Sequence, residues 1–112
     1  MSEELKETAK NILIDCAKKE NLISYSDLVD EIKKTFPTDM GPHDTRLFKL
    51  LEKISIEENE MGHGMLSAVV VRQEDKQPGS GFFKLAGALG KNTSNKEECW
   101  TLELNKVFSQ WK

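Results

Sequence analysis

The chain is poor in the residues that most often carry chemistry or covalent cross-links. Its 112 residues include two cysteines, two histidines and two arginines. Cys16 and Cys99 form no CxxC pair, which argues against a zinc or dithiol site, and both are predicted to be buried apolar residues. With only Arg46 and Arg72, few bidentate donors exist for bases or phosphates. The sequence therefore predicts no thiol chemistry, no metal site and no strongly basic surface.

Long apolar runs are also missing. The longest, Ala68–Val71, is far shorter than the roughly 20 residues of a membrane span. The first ten residues lack the apolar centre of a signal peptide. We therefore expect a cytoplasmic protein that makes no membrane contact. With 38% hydrophobic and 31% charged residues, a chain of this length fits one globular domain, residues 1–112.

Three helices are predicted in the first half of the chain. The first has an apolar face over Leu5–Cys16 and takes Ser2 as its N-cap. The second begins at Ser24, which opens an S-x-x-D capping pattern, and ends before Pro37. The third has Pro42 in its first turn. The apolar face of this third helix comprises Leu47, Leu50, Leu51 and Ile54.

The pattern changes after Met65. The segment Leu66–Val71 is short and β-branched at its end, which predicts a strand. Gly79 and Gly81 permit a tight turn, and the Phe82–Phe83 pair resumes burial. Together these features predict a β-hairpin or wing, followed by a short helix that stops at Gly90.

A C-terminal amphipathic helix is predicted over residues 95–111. Ser94, with Glu97 three residues later, gives the start signal. Its aromatic stripe is expected to pack as a core face, although the helix could equally be exchanged between two subunits. The stripe comprises Trp100, Leu104, Val107, Phe108 and Trp111.

The order of these elements predicts an α+β fold that is mainly helical and winged-helix-like, with a helix-turn-helix and wing over residues 22–83. Ile23, Tyr25 and Leu28 match an I-x-Y-x-x-L helix entry, Arg46 matches an arginine of the next helix, and Gly79–Gly81 matches a Gly-rich wing. On these residues the segment resembles the winged-helix domain of alkyltransferase-like and methylated-DNA repair proteins. The resemblance implies the scaffold alone, since fold does not fix function.

The chemistry of those repair proteins is not expected here. Their reactive Pro-Cys-His-Arg motif is replaced by Leu66-Ser67-Ala68-Val69, which removes the alkyl acceptor. His43 and Asp44 are adjacent at a helix start, so their side chains point in different directions, and His63 lies on a turn between Gly62 and Gly64. A plain surface role is expected for both histidines. The Gly79-Ser80-Gly81 turn is too short for a phosphate-binding loop. The sequence thus predicts a protein that is not an enzyme and uses no cofactor.

Charge favours a protein partner. Nineteen acidic residues against sixteen basic ones give a net charge of −3. A small acidic domain gains association rate and specificity against a basic target. We therefore expect a protein-binding module, of the immunity or antitoxin kind, that occludes a basic toxin or nuclease. The predicted binding face comprises Asp44, Glu52, Glu57, Glu58 and Glu60.

The alternative is a DNA-binding regulator. A recognition helix would present contacts from the third helix, and the wing would add a local excess of positive charge. A homodimer would double this small patch. The residues predicted for this function are Arg46, Lys49 and Lys53 on the helix and Arg72, Lys76 and Lys84 around the wing.

Overall fold

The computed structural model describes residues 3–112, so the predicted Ser2 cap lies outside the described residues. In that range the chain forms five α-helices, one 3-10 helix and two short strands. It is therefore mainly helical with a small sheet, which confirms the coarse fold class. The elements are α1 (Glu3–Lys18), β1 (Ile23–Ser24), α2 (Tyr25–Thr35), α3 (Thr45–Glu60), the 3-10 helix (Leu66–Val69), β2 (Val70–Val71), α4 (Ser80–Ala88) and α5 (Lys96–Gln110).

The starts of α2 and α3 are set by side-chain caps. Ser24 Oγ accepts a hydrogen bond from the Asp27 backbone N–H at 3.1 Å, as the S-x-x-D pattern predicts. The third helix begins later than expected, because Asp44 is its N-cap and accepts from the Arg46 N–H at 2.8 Å. Pro42 lies in the turn before the helix. A capping aspartate satisfies a free N–H, which a proline at the first helical position cannot do.

In the described chain, residues 66–83 do not form the predicted hairpin. Val70 and Val71 pair in parallel with Ile23 and Ser24, which joins this segment to the start of α2. The residues expected to form the second strand open α4 instead, with Gly79 as the N-cap. Phe82 and Ala86, four residues apart on α4, are both buried. A short apolar run such as Phe82–Phe83 is compatible with a buried strand and with a buried helix, so the sequence pattern led to the wrong prediction of a strand.

The interior has two clusters that share α5. The larger lies among α1, α2, α3 and the 3-10 helix, and the smaller lies between α4 and α5. Trp100 donates its indole N–H to the Ala68 carbonyl at 2.8 Å, which ties α5 to the 3-10 helix. The cap of α5 is Asn95 rather than Ser94. The predicted aromatic stripe of α5 packs on these clusters, so its interpretation as a core face is confirmed.

Two further features follow from the packing. Ser55 Oγ donates to Ser67 Oγ at 2.6 Å and accepts from the Ser67 N–H at 3.0 Å, which holds the 3-10 helix against α3. Cys99 is buried as predicted, whereas Cys16 is half-buried. Among residues 3–112, every helix falls short of the length and apolarity that a membrane crossing requires.

Candidate functional site

A cleft of about 380 Å³ opens between the start of α2, the middle of α3 and the start of α4. Leu51 and Phe82 form an apolar floor beside the buried Ser67. The exposed lining carries ionisable side chains, so the cleft has a mainly apolar floor under a polar rim. The lining residues are Tyr25, His43, Phe48, Leu51, Glu52, Ser67, Arg72, Glu74, Gly79, Ser80, Gly81, Phe82 and Leu85.

Two aromatic rings form one wall of the cleft. The rings of Tyr25 and Phe48 meet edge to face, with centroids 5.7 Å apart and planes at 85°. Phe48 keeps 43% of its surface exposed, which is unusual for a phenylalanine on a helix with a well-filled apolar face. Burial raises the pKa of the Tyr25 phenol, so its hydroxyl stays protonated at neutral pH. This wall therefore offers aromatic surface without negative charge.

The start of α4 closes against the aromatic wall. A Cβ atom on Gly79 would lie 3.0 Å from Tyr25 Oη, so a larger residue there would require the phenol to shift by a few tenths of an ångström. Pro78 is buried beside it, while Ser80 and Gly81 are exposed. The Gly-rich turn that was predicted to shape a wing thus lets the backbone of α4 approach the phenol.

A closed loop positions the other side of the cleft. The Arg72 N–H donates to the Gln77 carbonyl at 2.8 Å, and the Lys76 N–H donates to the Arg72 carbonyl at 3.0 Å. The Arg72 guanidinium donates to both carboxylate oxygens of Asp75, at 2.6 and 3.2 Å. This loop holds Glu74 at the rim while Asp75 neutralises the charge of Arg72.

The predicted acidic face is not one surface. Glu58 is fully buried, which corrects its assignment to a solvated binding face. Its Oε1 lies 3.0 Å from His63 Nδ1, and its Oε2 lies 3.3 Å from Lys10 Nζ. Glu57 accepts two hydrogen bonds from Lys6 Nζ, at 2.9 and 3.0 Å. The sequence showed the carboxylates but not the lysines that α1 brings to them.

Asp44 is likewise engaged within the chain. Hydrogen bonds from the Arg46 side chain, and then from its backbone N–H, lower the pKa of Asp44 to about 2. Glu52 and Glu60 are exposed, and neither side chain forms an ion pair or hydrogen bond with a described residue. They are eight residues apart on α3, or about 12 Å, and Glu52 lines the cleft whereas Glu60 does not. Of the predicted acidic face, Glu52 is thus the member that the cleft retains.

The predicted basic surface divides between paired arginines and exposed lysines. Arg46 Nη2 lies 2.9 Å from Asp39 Oδ1 and 2.7 Å from Asp44 Oδ2, and these carboxylates raise the pKa of Arg46. Arg72 is paired with Asp75. The remaining members are exposed, namely Lys49 and Lys53 on α3, Lys76 in the loop and Lys84 on α4. The two residues best suited to bidentate phosphate contacts are thus already bound to carboxylates.

The histidines lie in different environments. His43 is exposed in the turn before α3 and lines the cleft. His63 was expected to have a plain surface role, but it is half-buried, with its ring edge-on to Trp111 at 5.6 Å between centroids. Within residues 3–112, no group of three or more His, Cys, Asp or Glu side chains is arranged to hold a metal ion.

The cleft is not evident in the sequence because its parts come from distant segments. The rings of Tyr25, at the start of α2, and Phe48, on α3, meet only in the folded chain. Glu74 lines the same cleft and follows β2, which pairs with β1. One signal was available, since Phe48 is a large aromatic residue outside the predicted apolar face of α3.

Comparison of the chain with family models, curated proteins and solved structures gave no match.

Proposed function

We propose that the protein is a non-enzymatic protein-binding module of the cytoplasm, and that the cleft is its binding surface. In this proposal it occludes or recruits a basic partner, as an immunity protein or antitoxin does to a toxin or nuclease. The observation that carries the proposal is the cleft itself. Exposed aromatic surface over an apolar floor is the usual composition of the centre of a protein interface.

The charge of the rim supports a basic partner. Glu52 and Glu74 are exposed and have no ion-pair or hydrogen-bond partner among the described residues. Their charges therefore remain available to an incoming protein. The cation among the described lining residues, Arg72, is held by Asp75. A positive segment is attracted to such a rim, while an acidic one is repelled.

The proposal is tested by capture of a tagged protein from native cells with nuclease-treated lysate, comparing three chains. The wild type should recover a stoichiometric protein partner. Phe48→Ala combined with Glu52→Lys removes the exposed aromatic ring and reverses a rim charge, so recovery should fall by at least about tenfold, as expected for loss of an interface anchor. Leu102→Ala is the matched control, since Leu102 is 55% exposed and lies outside the cleft. Equal recovery by both variants would reject the cleft as the binding surface.

DNA binding is the second candidate, and the exposed lysines favour it. Lys49 and Lys53 on α3 and Lys84 on α4 are free of hydrogen-bonded carboxylates in the described chain. This candidate uses α3 as the recognition helix, as the winged-helix hypothesis does. It predicts that binding to duplex DNA falls steeply with salt and weakens in Lys49→Ala. A protein interaction through the cleft should be unchanged by Lys49→Ala, because Lys49 does not line the cleft.

A further inference from the structure

We propose that the cleft recognises a lysine side chain of the partner, with its ammonium group against the rings of Tyr25 and Phe48 and beside the carboxylates of Glu52 and Glu74. This inference rests on the proposed function and adds the chemistry of the ligand. It follows from the coincidence of perpendicular aromatic rings, unpaired carboxylates and an apolar floor in one cleft.

The aromatic wall suits a cation. An ammonium group is attracted to the negative face of an aromatic ring when it lies within about 6 Å of the centroid. Because the rings of Tyr25 and Phe48 stand at 85° to each other, their faces point in different directions around a shared corner. A guest in that corner contacts aromatic surface on two sides. The same chain uses this interaction elsewhere, where Lys96 Nζ lies 5.6 Å from the centre of the Phe83 ring.

The carboxylates select the sign of the guest's charge. Glu52 comes from α3 and Glu74 from the loop after β2, so they approach the cleft from two elements. Neither has a partner among the described residues, and Arg72 is neutralised by Asp75. An ammonium therefore gains two carboxylates without displacing an existing ion pair. A guest carboxylate would meet two like charges and is excluded.

The floor suits the stem of a lysine. Leu51 and Phe82 are buried beneath the rim, at 5% and 7% exposure, and Leu85 is half-buried beside them. A lysine places four methylene groups between its backbone and its charge, and it packs that stem on apolar surface while the ammonium stays at a polar edge. An apolar floor under a charged rim meets both needs.

The test measures binding of two capped five-residue peptides, Ala-Ala-Lys-Ala-Ala and its norleucine counterpart, which keeps the stem and lacks the ammonium. Amide chemical shifts of Ser80 and Gly81, which line the cleft, report binding in the wild-type protein. The lysine peptide should bind about tenfold more tightly, which corresponds to about 1.4 kcal/mol. Raising the salt concentration should reduce this preference, because both carboxylates are exposed.

Variants connect the preference to the cleft. Phe48→Ala, and separately the Glu52→Gln with Glu74→Gln double variant, should each remove most of the lysine preference. Glu60→Gln is the control, since Glu60 is exposed on the same helix but outside the cleft. All the substituted side chains are exposed, and an unchanged amide spectrum away from the cleft verifies the fold.

Three results would overturn the proposal. Equal affinity for the two peptides would reject lysine recognition. If both peptides bind saturably in that case, the cleft still binds peptides and the proposed function stands. An undiminished lysine preference in the glutamine double variant would also reject it. Absence of binding by either peptide would reject it as well, and the capture experiment then decides separately whether the cleft binds a protein.

Discussion

Replacing Glu58 with glutamine removes a buried negative charge from α3 without changing the size of the side chain. The carboxylate is 1% exposed and lies between Lys10 of α1 and His63 after α3. Its Oε2 contacts Lys10 as an ion pair and has no hydrogen-bond partner. An amide at this position leaves the Lys10 ammonium without its counter-charge. Because Lys10 lies on α1 and Glu58 on α3, the substitution weakens the contact between these two helices.

The loss of stability can be judged from the burial of Glu58, Lys10 and His63. A hydrogen bond to a charged group contributes roughly 1.5–3 kcal/mol. Water can reach Lys10 and His63, whose side chains are 21% and 24% exposed, and it compensates part of the loss. We therefore expect Glu58→Gln to lower the free energy of unfolding by about 2 kcal/mol. For a domain of this size the melting temperature should fall by about 8 °C.

Urea unfolding followed by tryptophan fluorescence measures the change, because Trp111 contacts the His63 ring. Glu60→Gln is the matched control, since Glu60 is exposed two residues away on the same helix. It should change stability by less than about 0.5 kcal/mol. Equal stabilities of Glu58→Gln and Glu60→Gln would refute the buried ion-pair account.

Two further changes test the turn after α3 and the cap at its start. Gly64→Ala should destabilise the fold by about 2 kcal/mol, because Gly64 has φ +88° and an added Cβ would lie 2.8 Å from Lys106 Cβ. Gly41→Ala is its control in the same denaturation assay. The Cβ added at Gly41 meets open space, so this variant should be nearly neutral. Asp44→Asn keeps a capping side chain but removes a charge whose pKa is lowered from 3.8 to about 2. The wild type should therefore be more stable than this variant above about pH 4 and lose the difference as the pH falls toward about 2. A stability difference between these two chains that does not change with pH would contradict this account of the Asp44 cap.

Local signals predicted most of the helices. The Ser24 capping pattern, the Pro37 stop and the helical end at Gly90 each depend on residues within one turn of one another, and the structure has all three features. Elements that depend on partners distant in the chain were harder to predict from the sequence. Val70 and Val71 find their strand partners at Ile23 and Ser24, nearly fifty residues earlier, and nothing in the local sequence records that pairing.

The candidate site was harder to predict than the fold for the same reason. The sequence identified acidic residues as a functional surface, but packing decided which of them stay free. Glu58 is buried, and Lys10 and His63 provide its partners in the interior. Glu57 is paired because α1 places Lys6 beside it. Glu52 is exposed and lines the same cleft as Phe48, four residues earlier on α3, and Tyr25 at the start of α2. Whether a carboxylate is free depends on contacts that the one-dimensional sequence does not contain.

Photocrosslinking at position 48 tests the central claim most directly. A benzophenone amino acid in place of Phe48 puts a reactive ring at the mouth of the cleft, and the same substitution at Leu102 places it on exposed surface of α5. After irradiation in nuclease-treated lysate, the account predicts one dominant protein adduct from position 48 that is absent from position 102. No protein adduct at position 48, or the same adducts from both positions, would contradict the claim that the cleft binds a protein partner.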